Sequence, residues 1–425
     1  MCWRNRERGF PGFAALAFLA VAAVANASGR VISVPRGPVI VFPKTSLGPR
    51  DLGVVVNEDD PRSIRIARYY LSARHIPQSN LIRVRFAPEV HDMEVPVFQR
   101  LEARLLARTP PWVQAYALTW THPVRVGCMS ITTAFAMGYD PRFCSTGCRP
   151  TKEDPYFNSN STAPYRDFGI RPAMMLAGSS VRAVEELIDR GVASDDTDPQ
   201  GTAYLVSTGD PARNARAVEY PLIKRWLRGM VRTRVIHGTG IWNKPHVLFY
   251  FTGIPKVPGL GTNRFAPGSV GDDLTSFGGV LSGKTGQTNV LQWLAAGATG
   301  SYGTVTEPCN FRAKFPDPAV FISHYVDGES LIEAYWKSVA MPGQGIFVGE
   351  PLADPFGGYV VTYRNGVLSI RTYALPPGRY TLFAANSPHG SFRPVRSIMS
   401  RGGLQDISLT HAHAPFYRLS VSSRR

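Results

Sequence analysis

Residues 52–71 read LGVVVNEDDPRSIRIARYYL, and this stretch predicts a strand, a helix cap and a helix in succession. The apolar run at 52–56 is typical of a strand buried on both faces. Asp60 can accept hydrogen bonds from the free N–H groups of a first helical turn, and Pro61 suits the first helical position because it lacks an N–H group. Apolar residues then recur at helical spacing. One strand–helix unit of an α/β fold is therefore predicted.

The same alternation continues along the chain. Short apolar runs typical of strands alternate with helical patterns, as at 181–190 and 331–339. Strands separated by helices favour a parallel sheet that is covered on both faces. The predicted fold class is α/β with a mostly parallel, doubly wound sheet. The other predicted strands are 81–86, 116–120, 173–176, 203–206, 247–251 and 298–305.

Two breaks in this alternation indicate the domain organisation. Residues 138–170 are rich in Gly, Pro, Asn and Ser and contain two cysteines, so they form an excursion too long for an ordinary connection. Nearer the C-terminus short strand patterns dominate, and Asn365-Gly366 is a strong hairpin signal. We expect an α/β domain over 28–356 and a small all-β, sandwich-like domain over 357–425.

The first residues have the organisation of a secretory signal peptide. Three arginines among residues 4–8 precede an apolar run at 13–24, which ends in Ala25-Asn26-Ala27. A charged region, a short hydrophobic region and a small-x-small site predict cleavage after Ala27. An uncleaved membrane anchor is the alternative. We predict a signal peptide over 1–27 and a periplasmic or extracellular protein that is not integral to a membrane after cleavage.

The chain is strongly basic. It has 47 Lys and Arg residues against 31 Asp and Glu, a net charge of +16. These charges are scattered and form no Lys/Arg block, and no nucleic-acid motif accompanies them. The composition is compatible with attraction to an anionic surface or polymer. Residues 278–285 match the spacing of a phosphate-binding loop, but no buried apolar strand precedes them, so no cofactor is predicted.

Four cysteines follow the predicted signal peptide. In an oxidising compartment an even number indicates up to two disulfides, with three pairings open. A zinc site is the alternative, although no His-x-x-x-His pattern accompanies the cysteines, and the metal requirement is left open. The disulfide candidates are Cys128, Cys144, Cys148 and Cys309.

The segment GDDLTSFGG, residues 271–279, is the most polar stretch beside predicted core elements. Adjacent carboxylates at Asp272 and Asp273 could bind a metal, and Ser276 could act as a nucleophile at a loop tip. The alternative is structural: one aspartate caps a short helix and the glycines end it.

Other candidates follow from strand ends. His237 and Cys309 could form a thiolate site, although Cys309 is the better disulfide partner. Ligands in α/β folds lie at the carboxyl ends of parallel strands, so Glu307, Asp210 and Asp140 are candidates by position. Asp210 precedes Pro211 and a helical pattern, which also fits an ordinary cap.

Several longer segments resemble a family of exported bacterial proteins of unknown function. They are GATGSYGTVTEPCNFRAKFPDP, NEDDPRSIRIARYYLSARHIP, GDDLTSFGG and GEPLADPF, and the resemblance spans about 39–356. This resemblance implies no particular reaction.

The order of residues 297–303 (GATGSYG), Gly349-Glu350-Pro351 and a β-rich tail is similar to that of gingipain-type cysteine peptidases. This similarity implies a caspase-like fold. The chain departs from the peptidase pattern, since no cysteine occurs between Cys148 and Cys309 and no His-Gly-His motif is present.

Two functions follow as hypotheses. The first is a hydrolase that uses Asp272, Ser276 or Glu307 with His237 or His246, or a descendant that has lost the peptidase residues. The second is a non-catalytic envelope protein that binds an anionic polymer or a protein partner.

Overall fold

The computed structural model describes residues 29–88, 90–145, 147–282 and 285–422, so the predicted signal peptide lies outside it. The chain divides into two compact units. The α/β unit comprises residues 46–358, and the β unit combines residues 29–45 with 359–422.

The strands of both units are short. They are Val31–Ser33 (β1), Val39–Val41 (β2), Leu52–Asn57 (β3), Leu81–Val84 (β4), Asp92–Met93 (β5), Ala115–Leu118 (β6), Arg125–Val126 (β7), Met129–Ser130 (β8), Ala173–Met175 (β9), Thr202–Ser207 (β10), Arg232–His237 (β11), Val247–Thr252 (β12), Phe265–Asp273 (β13), Gly300–Thr304 (β14), Gly345–Gly349 (β15), Tyr359–Arg364 (β16), Val367–Thr372 (β17), Gly378–Ala385 (β18), Arg393–Ser400 (β19), Gln405–Leu409 (β20) and Phe416–Val421 (β21).

The α-helices of the described residues all belong to the α/β unit. They are Pro61–Ala73 (α1), Val95–Arg108 (α2), Ile131–Met137 (α3), Pro164–Phe168 (α4), Val181–Ser194 (α5), Tyr220–Trp226 (α6), Val290–Ala295 (α7), Pro318–Val326 (α8) and Leu331–Ser338 (α9). None of them is long and apolar enough to cross a membrane.

The start of the α/β unit forms as the sequence predicts. Every residue of β3 is buried, and the Asp60 carboxylate accepts a hydrogen bond from the N–H group of Arg62 at 2.9 Å. Pro61 occupies the first turn of α1. The apolar run therefore forms the predicted buried strand, and Asp60 and Pro61 start the helix as their side chains predict.

The large sheet has ten strands in the order β11-β10-β12-β13-β14-β15-β9-β6-β3-β4. Neighbours from β11 to β14 are parallel, as are neighbours from β9 to β4. Strand β15 lies between these groups and is antiparallel to β14. The α/β class and the mostly parallel sheet are confirmed.

The chain reverses its direction of advance across the sheet twice. From β3 it moves outward to β4 and returns to β6 on the other side, and from β10 it moves to β11 and returns to β12. Each reversal leaves a crevice outside the carboxyl ends of the two diverging strands, where α/β folds place ligands.

The β unit contains a five-stranded sheet, β1-β2-β21-β18-β19, and a three-stranded sheet, β16-β17-β20. The predicted hairpin is present, because Asn365 and Gly366 have φ of 50° and 76° between paired β16 and β17. The expected α/β domain over 28–356 is wrong at its start, for the described residues 29–45. Strand β2 pairs with β21, so this segment is part of the β unit.

Candidate functional site

The two switch points of the sheet are natural places to search for a site. One lies between the carboxyl ends of β3 and β6, and the other between those of β10 and β12. They differ because the chain fills one of them and leaves a cavity at the other.

The switch point between β10 and β12 is occupied by the connection after β10. A Cβ on Gly253 would lie 1.9 Å from the carbonyl oxygen of Arg213, so only glycine allows this approach. The buried Arg216 guanidinium donates to the carbonyl oxygen of Thr252 at 2.7 Å and pairs with the carboxylate of Asp272. The crevice is thus closed by protein groups.

Asp272 and Asp273 are the last two residues of β13 and are buried. The helix-capping interpretation of this pair is therefore wrong. The sequence did not indicate this strand because Pro and Gly interrupt its apolar pattern. In the structure the irregularity appears as a shift in the register with β12 between Val247 and Phe249.

The two aspartates have different surroundings. Burial raises the pKa of Asp272, and the opposing charge of Arg216 counteracts this rise. Burial raises the pKa of Asp273 to about 8, although its Oδ1 accepts a hydrogen bond from the N–H group of Ile254 at 3.0 Å. Asp273 is therefore mostly protonated at neutral pH, whereas Asp272 neutralises a buried cation.

The structure does not bring Ser276 together with either predicted histidine. His237 ends the edge strand β11, and two strands separate it from β13, a distance of about 14 Å between strands. His246 precedes the amino end of β12, while Ser276 follows the carboxyl end of β13. The carbonyl oxygen of Ser276 accepts a hydrogen bond from Thr304 Oγ1 of β14, on the side away from β12.

The other predicted residues also lie apart. Glu307 is exposed, and its side chain accepts a hydrogen bond from the N–H group of Cys309 at 2.8 Å. Asp210 accepts from the N–H groups of Ala212 and Arg213, as a capping residue does. The Asp140 carboxylate forms an ion pair with Arg142, two residues later in the chain.

The four described cysteines form two disulfides, Cys128–Cys144 and Cys148–Cys309, each with Cα atoms 5.5 Å apart. The disulfide prediction is confirmed, and the oxidised Cys309 provides no thiolate for His237. Among the described residues no group of three acidic, His or Cys side chains could hold a metal ion. Gly283 and Lys284 of the phosphate-loop-like stretch lie outside the described residues.

The switch point between β3 and β6 opens into a cavity of about 360 Å³, which we call the carboxyl-end cleft. Such a volume is in the range of small-molecule sites. Its wall combines apolar side chains with a few polar groups. The lining residues are Asp60, Arg62, Ile66, Pro88, Trp120, Thr121, His122, Gly178, Ser179, Ser180, Val181, Val184, Leu281 and Leu291.

His122 and Ser179 occupy equivalent positions in this cleft. Strands β6 and β9 are parallel neighbours, with Leu118 opposite Met175, and each of the two residues comes four positions later. The chains remain adjacent beyond the strands, because Thr121 Oγ1 donates to the carbonyl oxygen of Gly178 at 3.2 Å. His122 and Ser179 therefore follow neighbouring parallel strands at the same level beyond the edge of the sheet.

Ser179 lies at the turn from β9 into α5. Its side chain is exposed and makes no hydrogen bond to a described residue. Ser180 caps α5 by accepting from the N–H group of Ala183 at 3.1 Å. The N–H groups of Val181, which lines the cleft, and of Arg182 belong to the same first helical turn and have no intrahelical partner. Ser179 does not have a positive φ, so this turn lacks the strain of a nucleophile elbow.

Trp120 contributes a further donor to the cleft wall. The residue is 1% exposed, and its indole N–H group has no hydrogen-bond partner among the described residues. A buried donor without a partner is costly, so water or a ligand is the expected acceptor.

His122 and Ser179 were not among the candidates taken from the sequence, although both follow predicted strands. The strands at 116–120 and 173–176 were predicted, and the residues that follow them are THP and AGSS. Both segments follow the carboxyl end of a predicted parallel strand, which is where α/β folds place ligands.

No protein-family model matches the chain, and no curated protein matches it. A solved structure named "Structure of Protease" aligns with 89% of this chain and 98% of its own, at 9% sequence identity and a TM-score of 0.38. At that score the similarity establishes neither a shared fold nor a shared activity.

Proposed function

We propose that the protein is a hydrolase in which Ser179 is the nucleophile and His122 the general base. The observation that carries the proposal is their equivalent position after two adjacent parallel strands, in the wall of one cavity. A hydroxyl needs a neighbouring base to become a nucleophile, and an imidazole is the commonest one.

The proposed reaction is acyl transfer to water. Ser179 Oγ attacks the carbonyl carbon of an ester or amide while its proton passes to His122, and the carbonyl oxygen becomes an oxyanion. His122 then donates this proton to the leaving alcohol or amine as the bond between the carbonyl carbon and the leaving oxygen or nitrogen breaks. Water, deprotonated by His122, releases the acid from Ser179 by the same sequence.

The N–H groups of Val181 and Arg182 are candidates for stabilising the oxyanion. They are oriented by the start of a fourteen-residue helix, α5, and the positive end of its dipole lies there. The rest of the wall is mixed, because Ile66, Leu281 and Leu291 are apolar whereas Asp60 and Arg62 are charged. An acyl group of modest size that has both apolar and polar parts suits this wall best.

The wider setting is also a proposal. Two disulfides support a protein that works in an oxidising compartment outside the cytoplasm, as the predicted signal peptide implies. A caspase-like relationship rests on the sequence resemblance.

The test is labelling of the purified mature protein with a fluorophosphonate, together with hydrolysis of p-nitrophenyl esters of increasing acyl length. Labelling is expected in the wild type and should be lost in Ser179→Ala. Ester hydrolysis by Ser179→Ala should fall at least about 1,000-fold, because the nucleophile is essential. His122→Gln should lower both signals.

Two matched variants control for indirect effects. His91 is the neighbour of His122, with ring centroids 5.2 Å apart, so His91→Gln should retain labelling. Ser276→Ala tests the sequence-predicted nucleophile. Labelling that persists in Ser179→Ala refutes the proposal, and loss in Ser276→Ala alone would transfer the role to Ser276. No labelling and no hydrolysis by the wild type would favour a non-catalytic protein.

A further inference from the structure

Positive charge is distributed unevenly between the two units. The α/β unit, residues 46–358, has 32 Lys and Arg against 29 Asp and Glu. The described part of the β unit has ten Lys and Arg, and Asp406 is its only acidic residue. Residues 359–422 already carry seven of these ten cations, and folding adds the three of residues 29–45 to the same unit.

Most of these cations have no counter-charge. Nine of the ten are arginines. Asp406 lies 4.0 Å from Arg371, and Arg418 lies over the ring of Phe392 at 4.1 Å. The exposed arginines of this unit that form no ion pair with a described residue are Arg36, Arg364, Arg379, Arg393, Arg396 and Arg401.

The unpaired arginines lie on more than one side of the β unit. Arg364 lies on the outer face of the three-stranded sheet, since the alternate residues of β16 point inward. Arg379 lies on the outer face of the five-stranded sheet, beside Tyr380 of the core. Arg393 and Arg396 lie on β19, the exposed edge strand. Charges on an edge strand hinder aggregation, but that does not account for the two outer faces.

This distribution discriminates between anionic partners. A flat membrane can contact only one side of the unit, whereas a flexible chain can run across the edge and both faces. Single-stranded nucleic acid would call for exposed aromatic rings on which bases stack. The described residues of the β unit have no exposed Phe, Tyr or Trp side chain, and the large apolar side chains exposed there are Val360, Val395, Met399 and Val421.

We propose that the β unit binds an anionic polysaccharide along β19 and the adjoining faces. Guanidinium groups are suited to this because their planar fork pairs with carboxylates in a bidentate manner. The binding is electrostatic, so it weakens with salt. It does not depend on the hydrolase activity proposed for the carboxyl-end cleft.

The test measures binding of the full mature protein to polygalacturonate at low salt, with uncharged dextran as the reference. The variant Arg393→Gln/Arg396→Gln/Arg401→Gln should raise Kd on the order of tenfold, since each exposed pair contributes modestly. Replacing the same three residues by Lys should retain most of the affinity, because the charge is kept.

A matched triple variant of the α/β unit controls for net charge. Arg68, Arg100 and Arg104 are exposed there, and their replacement by Gln should leave Kd nearly unchanged. Four results would overturn the proposal: equal binding to dextran, unchanged affinity in the triple Gln variant of the β unit, equal loss in the control variant, or loss in the Lys variant. Stronger binding to vesicles with anionic phosphatidylglycerol, or to single-stranded DNA, would also overturn it.

Discussion

Replacing Asp273 by Asn should make the α/β unit more stable relative to the wild type as pH rises. Asp273 is fully desolvated, and burial raises its pKa from 3.8 to about 8. Between those values the folded chain binds one proton more than the unfolded chain does. The contribution of this group to stability is therefore most favourable at and below the unfolded pKa, and it falls by about 1.4 kcal/mol per pH unit as pH rises toward the folded pKa.

Asparagine removes this proton uptake and keeps the oxygen that accepts the Ile254 N–H group. From pH 5 to pH 7 the variant should therefore gain about 3 kcal/mol over the wild type, which is two pH units at that slope. Any cost of the buried amide N–H groups is independent of pH, so it shifts both values equally. The quantity to compare is the stability of Asp273→Asn relative to the wild type at pH 7 and at pH 5.

Urea unfolding followed by tryptophan fluorescence, with the disulfides intact, measures the effect. All tryptophans of the described residues lie in the α/β unit, so the signal reports on that unit. A matched control is Asp272→Asn, which leaves the buried Arg216 without its counter-charge and should lower stability by about 3–5 kcal/mol. Parallel pH dependences of Asp273→Asn and the wild type would show that Asp273 is ionised in the folded protein.

Three further changes should lower stability. Replacing Cys148 and Cys309 by Ser should reduce the free energy of unfolding by about 5 kcal/mol, because their disulfide closes a loop with a sequence separation of 161; an unchanged urea midpoint would contradict this. Glu350→Gln should cost about 3 kcal/mol, the lower end for a broken buried pair, since it removes one of the two counter-charges of the buried Arg74 and leaves Asp195. The double variant with Arg74→Met should recover part of that loss, and no recovery would show that the ion pair is not the cause. Gly271→Ala should lower the Tm, since its Cβ would lie 2.0 Å from a tryptophan ring atom, at a cost of about 1–3 kcal/mol; a wild-type Tm would refute the clash.

Local chemistry in the sequence determined the individual elements of this protein. The apolar run before Asp60, the proline after it and the Asn365-Gly366 turn each act through their own backbone and nearest neighbours. For that reason the α/β class, the β-rich C-terminal part and the pairing of all four described cysteines into disulfides could be predicted. The pairing pattern could not, because spacing does not specify which cysteines meet.

Only the tertiary structure decided which distant segments come together. Residues 39–41 pair with β21, and His122 and Ser179 line the same cleft, although many residues separate each pair along the chain. The same holds for Arg216, which occupies one crevice and turns Asp272 into a structural partner. Periodicity encodes which face of an element is buried, but strand order and the partner of a buried charge depend on the packing of the whole chain.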